Sequence, residues 1–270
     1  MLKKRLIFTL LIQNGIFQLS RNFSLQTVGD LAWLYQYYKF DSIAYSVDEL
    51  VLLNVDRGDK KTDKFTPHVI ALSKKCFMPL AAGGGIYCME DAYRILDAGA
   101  DKLIVNTALF TQPDFIKKLV KTFGSQCLVA SIDYKRSGGH RTEVYISNGM
   151  KATGMTVLDA MSAVERLGVG EIYLTSMDQD GTGQGYDLEI LSTVTDRCHV
   201  PVIASGGVGD FEHFVAGMNM KNVTGASTAN IFNFIGNGLT EARDYIQKHA
   251  IELASWNFDS LKEVSETSKK

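Results

Sequence analysis

An apolar octapeptide that closes in glycines occurs twice in this chain, 122 residues apart. Pro79-Leu80-Ala81-Ala82-Gly83-Gly84-Gly85-Ile86 returns as Pro201-Val202-Ile203-Ala204-Ser205-Gly206-Gly207-Val208. Each copy predicts a buried parallel strand that ends in a tight turn. Glycine at such a turn lets the backbone approach a bound group and present N–H donors to it, as phosphate-holding loops do. The same offset relates Glu49-Leu50-Val51-Leu52-Leu53 to Glu171-Ile172-Tyr173-Leu174-Thr175, Asp56 to Asp178 and Phe110 to Phe232. One glycine run alone would say little. A single offset held across several elements means that the second half of the chain repeats the architecture of the first.

Eight apolar runs alternate with amphipathic stretches. The strands are expected near 4–12, 48–56, 77–85, 101–108, 127–135, 170–178, 200–207 and 222–230. Helical patterns lie between them, for example over 25–40, 91–98, 157–167 and 212–220, with Thr156 and Asp187 as helix caps. Strand–helix alternation implies a parallel sheet, and eight units with two-fold repetition predict an α/β fold, a single (β/α)₈ barrel. A doubly wound sheet would give no reason for a half-chain repeat. No Pro- or Ser-rich linker divides the 270 residues, so one domain is expected over 1–254, with 255–270 as a polar extension. Two long loops, 13–23 and 181–186, follow strand C-terminal ends, the catalytic face of such a barrel.

Composition excludes several function classes. With a formal net charge of −2 and charges mixed along the chain, neither a nucleic-acid nor a membrane-binding surface is expected. Lys3-Lys4-Arg5 before an apolar run imitates a secretion signal, but that run is short and leads to Gln13-Asn14-Gly15 rather than a cleavage site. Four scattered cysteines, with no C-x-x-C pair, predict reduced thiols in a cytoplasmic protein. Nothing in the sequence asks for a cofactor or a metal.

Loops after the seventh and eighth strands of such barrels often bind phosphate. Here they supply Gly206, Gly207, Ala229 and Asn230, and the repeat gives a second set at Gly84, Gly85, Asn106 and Thr107. Two cradles across one mouth would suit an elongated substrate phosphorylated at both ends. Glycines that only turn strand into helix are the plainer alternative. Asp133 closes the fifth strand, while Thr175, Asp178, Asp180 and Gly181 close the sixth. A carboxylate at a strand's end can act as general acid or base, and Asp133 is the better candidate. Asp178 and Asp180 could equally cap the following loop.

Several strings together carry a resemblance: Ala82-Gly83-Gly84-Gly85-Ile86, Gly99-Ala100-Asp101-Lys102, Asn106-Thr107-Ala108, Phe123-Gly124-Ser125-Gln126-Cys127, residues 174–182, Tyr186-Asp187-Leu188 and Phe211-Glu212-His213-Phe214. Over roughly residues 1–250 the chain resembles the cyclase subunit of imidazole glycerol phosphate synthase. The resemblance implies a barrel that receives ammonia from a glutaminase partner. It then uses that ammonia to split and cyclise a bis-phosphorylated ribulosyl-formimino aminoimidazole carboxamide nucleotide in histidine biosynthesis. It also implies an ammonia gate at the N-terminal opening, where the glutaminase docks, and the matching positions are Arg5, Glu49, Lys102 and Glu171.

The departures lie at the catalytic face. Where the family closes its first strand with an aspartate, this chain has Leu11, on the strand face shared by Arg5, Ile7 and Thr9. Leu19 replaces a lysine of the first loop, with Arg21 nearby, Asn54 replaces an aspartate, and Asn230 replaces a serine. Leucine cannot carry a proton, and losing a general acid or base costs roughly 10²–10⁴-fold. The expected function is therefore an ammonia-accepting, cyclase-type subunit diverged from the histidine pathway. Paralogues that accompany a sugar amidotransferase in acetamidino-sugar assembly for surface polysaccharides are the nearest precedent. A histidine-pathway cyclase and a non-catalytic activator of the glutaminase are the alternatives.

Overall fold

The computed structural model describes residues 3–254 apart from 39–42, 44–45, 59, 61, 139–140 and 231–233. Phe232 and the extension 255–270 lie outside the described residues. The strands are β1 (Arg5–Gln13), β2 (Ile16–Arg21), β3 (Ser24–Gly29), β4 (Glu49–Asn54), β5 (Leu80–Gly83), β6 (Lys102–Val105), β7 (Leu128–Arg136), β8 (Thr142–Ile146), β9 (Lys151–Ala152), β10 (Glu171–Ser176), β11 (Val202–Ser205) and β12 (Val223–Thr228). Among them run the helices α1 (Leu31–Tyr37), α2 (Thr62–Ser73), α3 (Met89–Asp97), α4 (Thr107–Thr111), α5 (Pro113–Phe123), α6 (Val157–Arg166), α7 (Leu188–Thr195), α8 (Phe211–Met218) and α9 (Gly238–Lys248).

Eight strands pair in parallel in the order β1-β4-β5-β6-β7-β10-β11-β12, and β12 pairs back onto β1. The sheet is closed, and the fold is the (β/α)₈ barrel that the alternation predicts. Closure explains why these strands are apolar on both faces. One face packs on the helix ring, where Phe8, Leu50, Ala82, Leu103, Ile132 and Leu174 are buried. The other fills the lumen with Ile7, Val51, Ala81, Ile104, Val129, Tyr173 and Ile203. Burying a side chain of this size contributes roughly 1.5–3 kcal/mol.

The repeat is written into the pairing. Leu50↔Leu80, Val51↔Ala81, Leu52↔Ala82 and Leu53↔Gly83 in the first half match Ile172↔Val202, Tyr173↔Ile203, Leu174↔Ala204 and Thr175↔Ser205 in the second. Leu50 N–H donates to the Pro79 carbonyl at 2.9 Å, and Ile172 N–H donates to the Pro201 carbonyl at 2.9 Å. The correspondence slips at the last strand. A bulge between β11 and β12 sets Ile203 opposite Gly225, where Ala81 faces Lys102 in the first half.

Helix caps fall as expected at two sites. Thr156 Oγ1 accepts from Asp159 N–H at 3.2 Å, and Asp187 Oδ1 accepts from Ile190 N–H at 3.3 Å. Two expectations fail. Residues 13–23 are not a loop: β1 runs to Gln13, and β2 pairs antiparallel with β1 and β3. Residues 25–29, expected to be helical, belong to β3, and the helix starts only at Leu31, capped by Asp30. Asn14, Gly15, Asn22 and Phe23 all have positive φ, so these two short links reverse the chain tightly where a loop was expected.

Candidate active site at the C-terminal mouth

One cavity opens at the C-terminal end of the barrel. Its floor is made by Thr9, Tyr173 and Ser205, and its apolar wall includes Leu11, Leu53, Phe23, Leu25, Ile86 and Tyr87. The polar residues on it are Asn54, Lys60, Asn106, Thr107, Asp133 and Asp180, among others. Strand parity delivers the first strand as expected. Arg5, Ile7, Thr9 and Leu11 point inward at successive levels, from the charged base to the cavity wall.

Asp133 closes the lumen face of β7. Its Oδ2 accepts from Asn106 Nδ2 at 3.2 Å and its Oδ1 from Ser131 Oγ at 3.2 Å. Burial, with a smaller push from the Asp180 carboxylate, raises its pKa to about 7, against the pull of the Ser131 and Thr175 hydroxyls and of Lys60. A carboxyl of this kind can hold or release a proton near neutrality.

Lys60 escapes sequence reasoning. It follows β4, and its Nζ donates to the Asn54 carbonyl at 2.9 Å and to Asn148 Oδ1 at 2.8 Å. Burial pulls its amine down to about 8, opposed by Asp56 and Asp133. A charge-dense strand-end run, Asp56-Arg57-Gly58-Asp59-Lys60-Lys61, was the available signal. Asn148 comes from the turn between β8 and β9, and its amide also donates to the Asp56 carbonyl at 2.9 Å.

The β2–β3 hairpin lies across the mouth. Asp180 holds it: Oδ2 accepts from Ser20 Oγ and, at 3.0 Å, from Phe23 N–H, while its carbonyl accepts from Asn22 N–H at 2.9 Å. Burial raises the Asp180 pKa. Leu19 packs against the core instead of lining the cavity, and Arg21 is exposed at the end of its strand.

The two expected phosphate cradles differ. Gly84, Gly85, Asn106 and Thr107 line the cavity, with Thr175 and Ala229 on the opposite side. Gly206, Gly207, Asn230, Asp178 and Gly181 do not. The turns themselves are related. A Cβ on Gly84 would stand 2.1 Å from the Asn54 carbonyl oxygen, and one on Gly206 would stand 2.6 Å from that of Ser176, at φ of 97° and 90°. Only glycine fits either position. Gly181 is covered by the hairpin, since a Cβ there would meet the Ser20 carbonyl oxygen at 2.3 Å. Asp178 accepts from Arg136 N–H at 2.7 Å, as Asp56 accepts from Asn14 N–H at 2.6 Å. Both are strand-end caps, repeated at the same offset.

At the opposite end of the lumen, Arg5, Glu49, Lys102 and Glu171 form one ring of alternating charge. Arg5 pairs with both glutamates. Lys102 Nζ lies 3.0 Å from Glu49 Oε1 and 3.2 Å from Glu171 Oε2. Burial pushes Glu171 up, but Arg5 and Lys102 outweigh it and hold its carboxyl below the usual range. Between ring and cavity lie the apolar lumen layer and four linked hydroxyls. Tyr173 OH meets Thr9 Oγ1 and Ser227 Oγ at 2.8 Å and Ser205 Oγ at 3.0 Å. Among the described residues no cluster of His, Cys, Asp and Glu could hold a metal ion. No described helix is long and apolar enough to cross a membrane.

A (β/α)₈ barrel with a carboxyl poised at its C-terminal mouth has the layout of a metabolic enzyme. The sequence profile of the histidine biosynthesis protein family matches residues 22–236. Over 268 residues, 99% of either chain, the sequence is 39% identical to a protein of Parasynechococcus marenigrum (strain WH8102) whose provisional name is imidazole glycerol phosphate synthase subunit hisF2. The chain belongs to the histidine biosynthesis protein family, and within it to the barrels that resemble the imidazole glycerol phosphate synthase cyclase.

Proposed function

We propose that the chain is the ammonia-accepting, cyclase-type subunit of a glutamine amidotransferase, docked through its N-terminal face to a glutaminase. The ring of Arg5, Glu49, Lys102 and Glu171 carries this reading. Four charges at the base of a lumen whose far end is the Asp133 cavity suit a gate between a source of ammonia below and an acceptor above. Solubilising charges would have no reason to converge on the barrel axis. The acceptor is a phosphorylated small molecule, anchored by Gly84, Gly85, Asn106 and Thr107.

Leu11 on the cavity wall separates this subunit from a histidine-pathway cyclase. With no carboxylate there, the reading is a paralogue that serves acetamidino-sugar assembly for surface polysaccharides, together with a sugar amidotransferase. The name of the Parasynechococcus marenigrum relative favours the second reading, a cyclase of histidine biosynthesis. The test of the partnership is glutamate release by the cognate glutaminase, with and without the chain. A stable complex that turns over glutamine faster supports the proposal; neither complex nor stimulation would end it.

A further inference from the structure

The substitution at position 11 leaves Asp133 without a partner on the first strand, yet the cavity holds another titratable group, Lys60. Leu11 and Leu53 are register partners on β1 and β4, and Ile12 pairs with Asn54. Lys60 Nζ is bound to the carbonyl of that same Asn54. Its amine therefore stands one strand over from the missing carboxylate, on the wall of the cavity that contains Asp133. It also abuts the first cradle, since a Cβ on Gly85 would lie 2.6 Å from Lys60 Cβ.

We propose that Lys60 is the second proton carrier of this site, working with Asp133 in place of a carboxylate at position 11. The proposal rests on the reading of the chain as an ammonia-accepting subunit. Two of the amine's positions are committed to Asn54 and Asn148. That leaves the third to face the cavity, as a proton when the amine is charged and as a lone pair when it is neutral. Among the described residues, the charged groups around it are Asp56 and Arg57 on its own loop, Asp133 on β7, and Asp180 beyond β10, which acts on Asp133. With the amine lowered to about 8 and the carboxyl raised to about 7, a minority of molecules near neutrality hold both groups neutral, the pairing that addition of ammonia to a carbonyl requires.

The ammonia nitrogen attacks the carbonyl carbon, forming the C–N bond, and the carbonyl π pair moves onto oxygen. Asp133 gives that oxygen its proton, and Lys60 takes the surplus proton from the new ammonium nitrogen. Asp133 ends as carboxylate and Lys60 as ammonium, and proton return from Lys60 to Asp133 resets the site. A Lys60 that only clamped two loops would be buried as well but would present no third position to the cavity, so neither a reagent nor an anion in the cradle would reach it.

Competitive acetylation with trace acetic anhydride, followed by fragment-resolved mass spectrometry, separates the two roles. Lys60 should become reactive with a midpoint near 8, where an ordinary lysine, at about 10.4, is more than 99% charged. Asp133→Asn should move that midpoint lower, because the aspartate charge favours the ammonium. Inorganic phosphate should slow labelling by occupying the neighbouring cradle, and Lys60→Gln assigns the signal. A midpoint near the ordinary lysine value, or an amine labelled only after unfolding, would overturn the proposal. The measurement uses the chain alone, so its outcome is independent of whether a glutaminase docks.

Discussion

Leu11 and Leu53 are paired in register on adjacent barrel strands, and both face the cavity that contains Asp133. In the proposed reading a strand-one carboxylate would act at position 11, and the apolar wall there makes it a costly place to put one. Leu11→Asp would add a charge to a site that already holds Asp133 and Asp180. Like charges raise each other's pKa, so Asp133 should titrate above 7 in the variant. The variant should be less stable than the parent by about 1–3 kcal/mol at pH 8. The difference should shrink in acid, where all three carboxyls are neutral. Urea denaturation at the two pH values checks this.

Asp133 itself gives a pH prediction with a definite sign. Its folded pKa, about 7, lies above the unfolded value, so the native state binds the extra proton. Its stabilising contribution is complete below about pH 4 and is lost as pH rises to about 7. Asp133→Asn removes that dependence. Relative to the parent it should therefore gain stability between pH 4 and pH 8, by up to a few kcal/mol. Denaturant midpoints across that range measure it, and a parallel response of the two proteins would show that the carboxyl is ordinary.

How much of this was legible in the sequence varies by element. The eight barrel strands were, because strands buried on both faces read as unbroken apolar runs such as Leu50–Leu53 and Val202–Ala204. The two-fold repeat survived down to matching hydrogen bonds at Leu50 and Ile172. The hairpin was missed because Ile16-Phe17-Gln18-Leu19-Ser20 alternates only briefly, and the links that reverse it at Asn14-Gly15 and Asn22-Phe23 look like loop residues. Lys60 and the Tyr173–Thr9–Ser205–Ser227 hydroxyls were missed for another reason. Each is an ordinary residue with a partner distant in sequence, Asn148 in a turn for Lys60 and residues of other barrel strands for the hydroxyls, and only the fold brings them together.

The charge ring predicts asymmetric mutational costs. Arg5→Ala leaves Glu49 and Glu171 facing one another with only Lys102 to share, and removing one partner from a buried ion cluster costs roughly 3–5 kcal/mol. Lys102→Met keeps the Arg5 pairs to both glutamates and should cost less. Urea unfolding ranks them, and equal costs would mean that Arg5 is not the hub of the ring.

The first cradle predicts an anion. A crystal grown with sulfate should show density beside Gly84, Gly85, Asn106 and Thr107. Gly84→Ala should abolish it, because its Cβ would stand 2.1 Å from the Asn54 carbonyl oxygen. Sulfate retained in the alanine variant would place the donors elsewhere.

An ammonia-accepting cyclase-type subunit that has left the histidine pathway should reveal itself in one product measurement. The purified chain is supplied with ammonium salts and the bis-phosphorylated histidine-pathway nucleotide, and imidazole glycerol phosphate is quantified beside the Leu11→Asp variant. The parent should give little or no product, and restoring the carboxylate should increase it, within the roughly 10²–10⁴-fold that a general acid or base supplies. Robust turnover by the unmodified chain would contradict this reading and return the protein to histidine biosynthesis.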